Sequence, residues 1–170
     1  MRTVLWSIVI CYLCSFAAGC AADRAFSAGE SYEEEGRYEE AMFSYAEAYR
    51  CDPEDSEYRV RFLSARDKAA RKRYKKGVER MKKGIYASAL LEFQTAYGLD
   101  PSQGIYKQMV DEAAQKKNAQ QAFQEGEEFE KADKLKDAYR FYSKAVETCP
   151  EQSEYRDARK KIAKILFAKP

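Results

Sequence analysis

Residues 29–53 read GESYEEEGRYEEAMFSYAEAYRCDP, and the same spacing returns as GVERMKKGIYASALLEFQTAYGLDP over residues 77–101 and GEEFEKADKLKDAYRFYSKAVETCP over residues 126–150. Counted from Gly29, Gly77 and Gly126, alanines stand at +12 and +19, an aromatic at +16 and a proline at +24 in all three. Four positions held in register three times mark a repeated supersecondary unit. The units are rich in Ala, Glu and Lys, all good helix formers. Beyond residue 20 there are only four Val, four Ile and two Thr, so strands have little to be built from. The sequence predicts an all-α chain of helical hairpins.

Each position of the unit has a physical task. Gly29, Gly77 and Gly126 are expected to face Ala41, Ala89 and Ala138 across the hairpins, where small side chains let helices approach closely. Tyr45, Phe93 and Tyr142 fill the space left over. Gly36 and Gly84 supply the left-handed conformation that ends a first helix, and Asp133 takes that place in the third unit. Pro53, Pro101 and Pro150 end the second helices and are expected to open the next ones at their first turn.

The prolines lie 48 and 49 residues apart, which is long for a helical hairpin. The extra residues, within Glu54–Lys76 and Ser102–Glu125, lengthen the first helices of the second and third units. Apolar or small residues at 58, 62, 65, 69, 74, 78 and 81 recur at helical spacing and support one long amphipathic helix. Tyr58, Tyr106 and Tyr155 each stand five residues after a proline, so the extension is itself repeated. Residues 151–168 then form a further first helix that caps the stack, with Ile162, Ile165 and Leu166 expected to face inward.

The pattern resembles the tetratricopeptide repeat (TPR), whose signature runs Trp, Leu, Gly, Tyr, Ala, Phe, Ala, Pro. With Tyr and Phe taken as equivalent, the three units match at six, five and six of the eight positions. The signature Trp and Leu are replaced by Ala25 and Ala28, Arg73 and Lys76, and Ala122 and Glu125; Arg80 stands at the signature Tyr of the second unit. The resemblance implies a TPR-like helical-hairpin solenoid: repeats over about 25–53, 54–101 and 102–150, lengthened first helices and a C-terminal capping helix over 151–168. It also implies ligand binding in a groove lined by first helices. The position three residues before each signature Gly, which faces that groove in the family, is Phe26, Tyr74 and Phe123 here. Aromatic anchors of this kind suit an extended or helical peptide. The alternative is that these rings turn inward to fill the place of the missing Trp.

Met1–Cys20 has a basic start at Arg2, an apolar run from Val4 to Phe16 and small residues after it, the pattern of a secretory signal. The run is too short to cross ~30 Å of hydrocarbon as a permanent helix. Ala17-Ala18-Gly19-Cys20 resembles the lipobox of bacterial lipoproteins, with Ala17 where that family usually has Leu. The resemblance implies removal of residues 1–19, lipidation of Cys20 and a short tether over 20–24 before the repeat domain at 25–170. Ala21, where Asp implies inner-membrane retention, points to the outer membrane, periplasmic side; an inner-membrane lipoprotein and a soluble periplasmic protein are the alternatives. Cys51 and Cys149 lie two repeats apart, too far for a disulfide.

The chain of 170 residues is 45% hydrophobic and 34% charged, with 30 basic and 28 acidic residues, so no global charge calls for nucleic acid. It contains no His, the commonest general base and neutral metal ligand, which disfavours triads, zinc sites and proton relays. No glycine-rich phosphate loop is present. No catalytic group, cofactor or metal is therefore expected. Charge is uneven: residues 23–57 hold twelve acids and three bases, and Arg66–Lys83 holds ten bases and two acids. That basic helix either pairs with its acidic neighbours or docks an acidic partner or anionic lipid, with Lys75, Lys76 and Arg80 as candidates. The sequence reading is a non-enzymatic lipoprotein adaptor for protein partners of the cell envelope. The alternative is a structural envelope protein that self-associates as a homo-oligomer.

Overall fold

The computed structural model describes residues 21–168, among which there are seven α-helices and no strand. The described part of helix α1 covers residues 21–34, followed by α2 (Tyr38–Cys51), α3 (Ser56–Lys82), α4 (Tyr86–Leu99), α5 (Gly104–Lys131), α6 (Leu135–Thr148) and α7 (Ser153–Phe167). The pairs α1/α2, α3/α4 and α5/α6 carry the three sequence units. The proposed signal and Cys20 lie outside the described residues.

Each first helix ends in the same way. Gly36, Gly84 and Asp133 have φ of 70°, 72° and 56°. The next residue's N–H reaches back to the helix: Arg37 to the carbonyl of Tyr32, Ile85 to that of Arg80 and Lys134 to that of Phe129, at 2.8, 3.0 and 2.9 Å. Bonds from Gly36 to Glu33, Gly84 to Met81 and Asp133 to Glu130 complete a Schellman cap in all three. Asp133 adopts the left-handed conformation at a cost that glycine avoids.

The prolines end the second helices as expected but do not open the next. Asp52, before Pro53, has φ −137° and ψ 88°, and Cys149, before Pro150, has φ −134° and ψ 80°, the extended backbone that a following proline imposes. The next helices begin only at Ser56, Gly104 and Ser153. The reason is local. The Asp52 and Asp100 carboxylates accept the N–H of Glu54 and Ser102 at 3.2 Å, closing a turn around Pro53 and Pro101. Asp55 then caps α3 by accepting the N–H of Glu57 at 2.7 Å.

Helices α3 and α5 are uninterrupted over 27 and 28 residues, twice the 14 of α2, α4 and α6. A helix of that length spans ~40 Å, against ~20 Å for its partner. The partner covers half of it, and the other half packs elsewhere. The chain accordingly divides into two compact units, residues up to Tyr74 with Thr95–Ser102, and Lys75–Gln94 with residues from Gln103 onward.

In the first unit the N-terminal half of α3 packs on α1/α2. Ala65 joins Ala41, Met42 and Tyr45, with Phe26, Tyr32, Phe62 and Leu99 against them, while Tyr58 joins Ala22 and Ala48. In the second unit α7 does the same for α5/α6: Tyr155 packs with Ala119, Ala122, Ala145, Val146 and Cys149, and Ile162 with Ala138 and Tyr142. Of the three α7 residues expected inward, Ile162 is fully buried and Leu166 packs against that cluster, but Ile165 is 54% exposed. Tyr155, Ala158, Ile162 and Leu166 share one stripe at spacings of three and four; Ile165 falls beside it.

The close approach also differs from expectation. Each leading glycine faces the aromatic ring rather than the alanine: a Cβ would stand 2.6 Å from Tyr45 at Gly29, 2.5 Å from Phe93 at Gly77 and 2.6 Å from Tyr142 at Gly126. The alanines are fully buried; Ala41 packs in one cluster with Tyr45, and Ala138 in one with Tyr142. Cys51 and Cys149 are both free thiols; Cys149 is buried, and burial pushes its pKa up.

Candidate protein-interaction surface

The structure gives the candidate aromatics different surroundings from an open groove. Phe26, half-buried, has its ring centroid 5.3 Å from Tyr45 and 5.0 Å from Tyr58. Phe123 repeats the arrangement, 5.3 Å from Tyr142 and 4.8 Å from Tyr155. Both rings join a repeat aromatic to the tyrosine five residues after the next proline. That tyrosine belongs to the helix extension, so the rings turn inward, as the alternative to groove anchors has it. Tyr74 is half-buried on α3.

A second arrangement was not foreseen. The Tyr45 hydroxyl donates to Glu33 Oε2 at 2.8 Å, and Lys68 Nζ bonds the other carboxylate oxygen. The Tyr142 hydroxyl donates to Glu130 Oε2 at 2.7 Å, with Lys161 Nζ on Oε1. The carboxylate stands four residues after the leading glycine in both. In the middle unit those places are Met81 and Phe93, so carboxylate and hydroxyl are lost together. That joint change was the available signal in the sequence.

The carboxylates respond accordingly. At Glu130, bonds from Lys161 and then Tyr142 outweigh burial and hold the carboxyl below its ordinary 4.5. At Glu33, burial pushes upward, but the Lys68 and Tyr45 bonds, with Lys68 and Arg61 charge, prevail and lower it. Burial, then the carboxylate bond, raise both tyrosines. A lowered folded-state pKa contributes stability above the unfolded value and loses it as pH falls through the folded one. The melting temperature should therefore fall as pH drops below 4.5, and Glu130→Gln should make that fall shallower while lowering stability at neutral pH. Thermal melts of both proteins from pH 7 to 3 check this; identical slopes would exclude Glu130.

The basic helix is partly neutralised. Lys68 pairs with Glu33, Arg73 with Glu39, and Lys72 Nζ donates to the Gly36 carbonyl at 2.7 Å. Of the named candidates, Arg80 is half-buried with Nε 3.7 Å from the buried carboxylate of Glu92. Lys75 and Lys76 are exposed, as are Lys82 and Lys83, and these four make no ion pair among the described residues. Lys76, Glu79, Arg80 and Lys83 line a shallow depression with Ile85, which is 44% exposed. The structure thus adds Lys82, Lys83 and Ile85 to the sequence candidates. The turn ending α3 places them, because Gly84 reverses the chain and brings Ile85 beside the last turn of lysines. Among the described residues no group of acids and cysteines is placed to hold a metal ion, and no helix is long and apolar enough to cross a membrane.

No protein-family model matches the chain, and no curated protein matches it. Among solved structures it is similar to the first TPR of Spaghetti (RPAP3) bound to HSP90 peptide SRMEEVD, at 19% identity over 87% of this chain and 94% of that one, TM-score 0.27. It is also similar to the Arabidopsis OM64 TPR domain, at 16% identity over 87% and 98%, TM-score 0.28. The NMR structure of the first TPR domain of the human RPAP3 protein gives 19% over 87% and 94%, TM-score 0.26. The hairpin fold rests on the chain's own caps, spacings and glycine contacts.

Proposed function

We propose that this chain is a non-enzymatic adaptor, held by a lipidated Cys20 on the periplasmic side of the outer membrane, that docks an acidic segment of a partner protein of the cell envelope. The observation that carries the docking reading is the depression where Lys76 and Lys83, exposed and without ion pairs among the described residues, stand beside the exposed Ile85, with Lys75 and Lys82 also exposed on the same helix. The same helix neutralises Lys68 and Arg73 internally, so the remaining charge is available to a partner. An apolar centre whose rim sets Lys76, Arg80 and Lys83 against the one acid Glu79 suits a short acidic stretch carrying one apolar side chain.

The anchor reading is supported by the leader pattern alone. The test uses the full-length protein in a bacterial host, with a photo-crosslinking residue in place of Ile85. A partner adduct is expected, reduced about tenfold by Lys75→Glu with Lys76→Glu. An adduct indifferent to both substitutions would overturn the docking reading. Cys20→Ser should abolish palmitate incorporation, and labelling that persists would overturn the anchor.

A further inference from the structure

The turn between α2 and α3 has the chemistry that the basic depression selects. Asp52, Glu54, Asp55 and Glu57 put four acids into six residues, whereas the same four places hold one acid around Pro101 and two around Pro150. Asp52, Glu54 and Asp55 make no ion pair among the described residues, and Glu57 meets Arg61 only at 3.9 Å. Arg61 is shared with Glu30 and Glu33, at 3.8 and 3.5 Å. Just after these acids, Val60 is 62% and Leu63 38% exposed. Three residues apart on a helix, they share one face. They stand seven and ten residues after Pro53, where the second extension has Gln108 and Asp111 and the third Asp157 and Lys160, all exposed. The first extension thus offers water two aliphatic side chains in places that the other two give to polar ones.

We propose that this acidic turn docks on the basic depression of a second copy of the chain, its carboxylates toward Lys76 and Lys83 and its Val60 and Leu63 against Ile85. The two patches are opposite in sign, and the lysines, like Asp52, Glu54 and Asp55, have no ion pair among the described residues. The minority charges, Arg59 beside Val60 and Glu79 in the depression, are opposite to each other as well. The charge of the two compact units points the same way. Among the described residues the first unit, 21–74 with 95–102, holds 14 acids and 10 bases, and the second, 75–94 with 103–168, holds 18 bases and 14 acids. Like units therefore repel and unlike units attract, which favours this contact over a symmetric one. The aliphatic centre supplies apolar area and the charged rim sets the register. Because the two faces differ, the contact repeats from copy to copy and gives a row or a ring.

The inference rests on the docking reading and names its partner. Two differently tagged full-length copies are expressed together in a bacterial host, with a photo-crosslinking residue at Val60 in one culture and at Ile85 in another. After irradiation the crosslinked peptides are read. The expected result is adducts bearing both tags, joining position 60 of one copy to residues 75–85 of the other and position 85 to residues 52–63. Glu54→Lys with Glu57→Lys should cut them about tenfold, as should Lys76→Glu with Lys83→Glu, with the helical signal unchanged because all four side chains are exposed. All four changes in one chain should restore the adducts, since the signs are then exchanged on both faces. Position-85 adducts to other proteins alone overturn the second-copy contact and leave the docking reading standing. Adducts confined within one chain, or a chain with all four changes that stays as weak as its parents, also overturn that contact. A probe at Ile85 that captures nothing, or whose adducts are indifferent to Lys76→Glu with Lys83→Glu, overturns both readings.

Discussion

Phe123→Ala should lower stability by about 3 kcal/mol, near the lower end for truncating a large aromatic because the ring is half-buried. The ring joins Tyr142 to Tyr155, at 5.3 and 4.8 Å, and packs against two apolar clusters of its unit. Its removal opens a cavity between the α5/α6 hairpin and α7 that neither tyrosine can enter without leaving its own contacts. Loss of the ring's edge and face contacts adds to the area lost. Chemical denaturation with the slope held constant measures the effect. A midpoint unchanged from the parent would show that the ring is an exposed anchor after all. Phe26→Ala should behave alike in the first unit, where Phe26 lies between Tyr45 and Tyr58.

Gly77→Ala and Gly98→Ala should move stability in opposite directions. Both glycines lie inside helices, where alanine is worth about 1 kcal/mol over glycine in propensity. At Gly98 a new Cβ meets nothing within 4 Å, and the full gain should appear. At Gly77 it would lie 2.5, 2.7 and 2.9 Å from three atoms of the Phe93 ring. That ring is fully buried and cannot swing aside. Overpacking of this kind costs about 1–3 kcal/mol, to which the propensity gain is the only offset. The net expectation is a loss of up to about 2 kcal/mol at Gly77. Melting temperatures of the two variants beside the parent decide it. A stabilised Gly77→Ala would mean that the ring does not lie on the glycine.

The hairpins, the caps at Gly36, Gly84 and Asp133, the long first helices and the additional helix after Pro150 were legible in the sequence. They depend on local chemistry: helix propensity, a left-handed residue, a proline that forbids continuation. Repetition made that chemistry visible, because a spacing that recurs three times separates a structural requirement from accident. What lay against what was not legible. A glycine across from small and large residues at helical spacing fits either neighbour, and only the packed hairpin shows that Tyr45, Phe93 and Tyr142, not the alanines, lie on Gly29, Gly77 and Gly126.

The candidate surface divides along the same line. The basic character of α3 was plain in the sequence, yet which lysines are neutralised depends on α1 and α2 coming alongside, which brings Glu33 to Lys68 and Glu39 to Arg73. The sequence by itself determined the elements and their order, since each is fixed by residues a few positions apart. Tertiary structure alone decided the direction of Phe26 and Phe123, the exposure of Ile165 and the lysines left unpaired, since each depends on a neighbour tens of residues away whose distance no local pattern encodes.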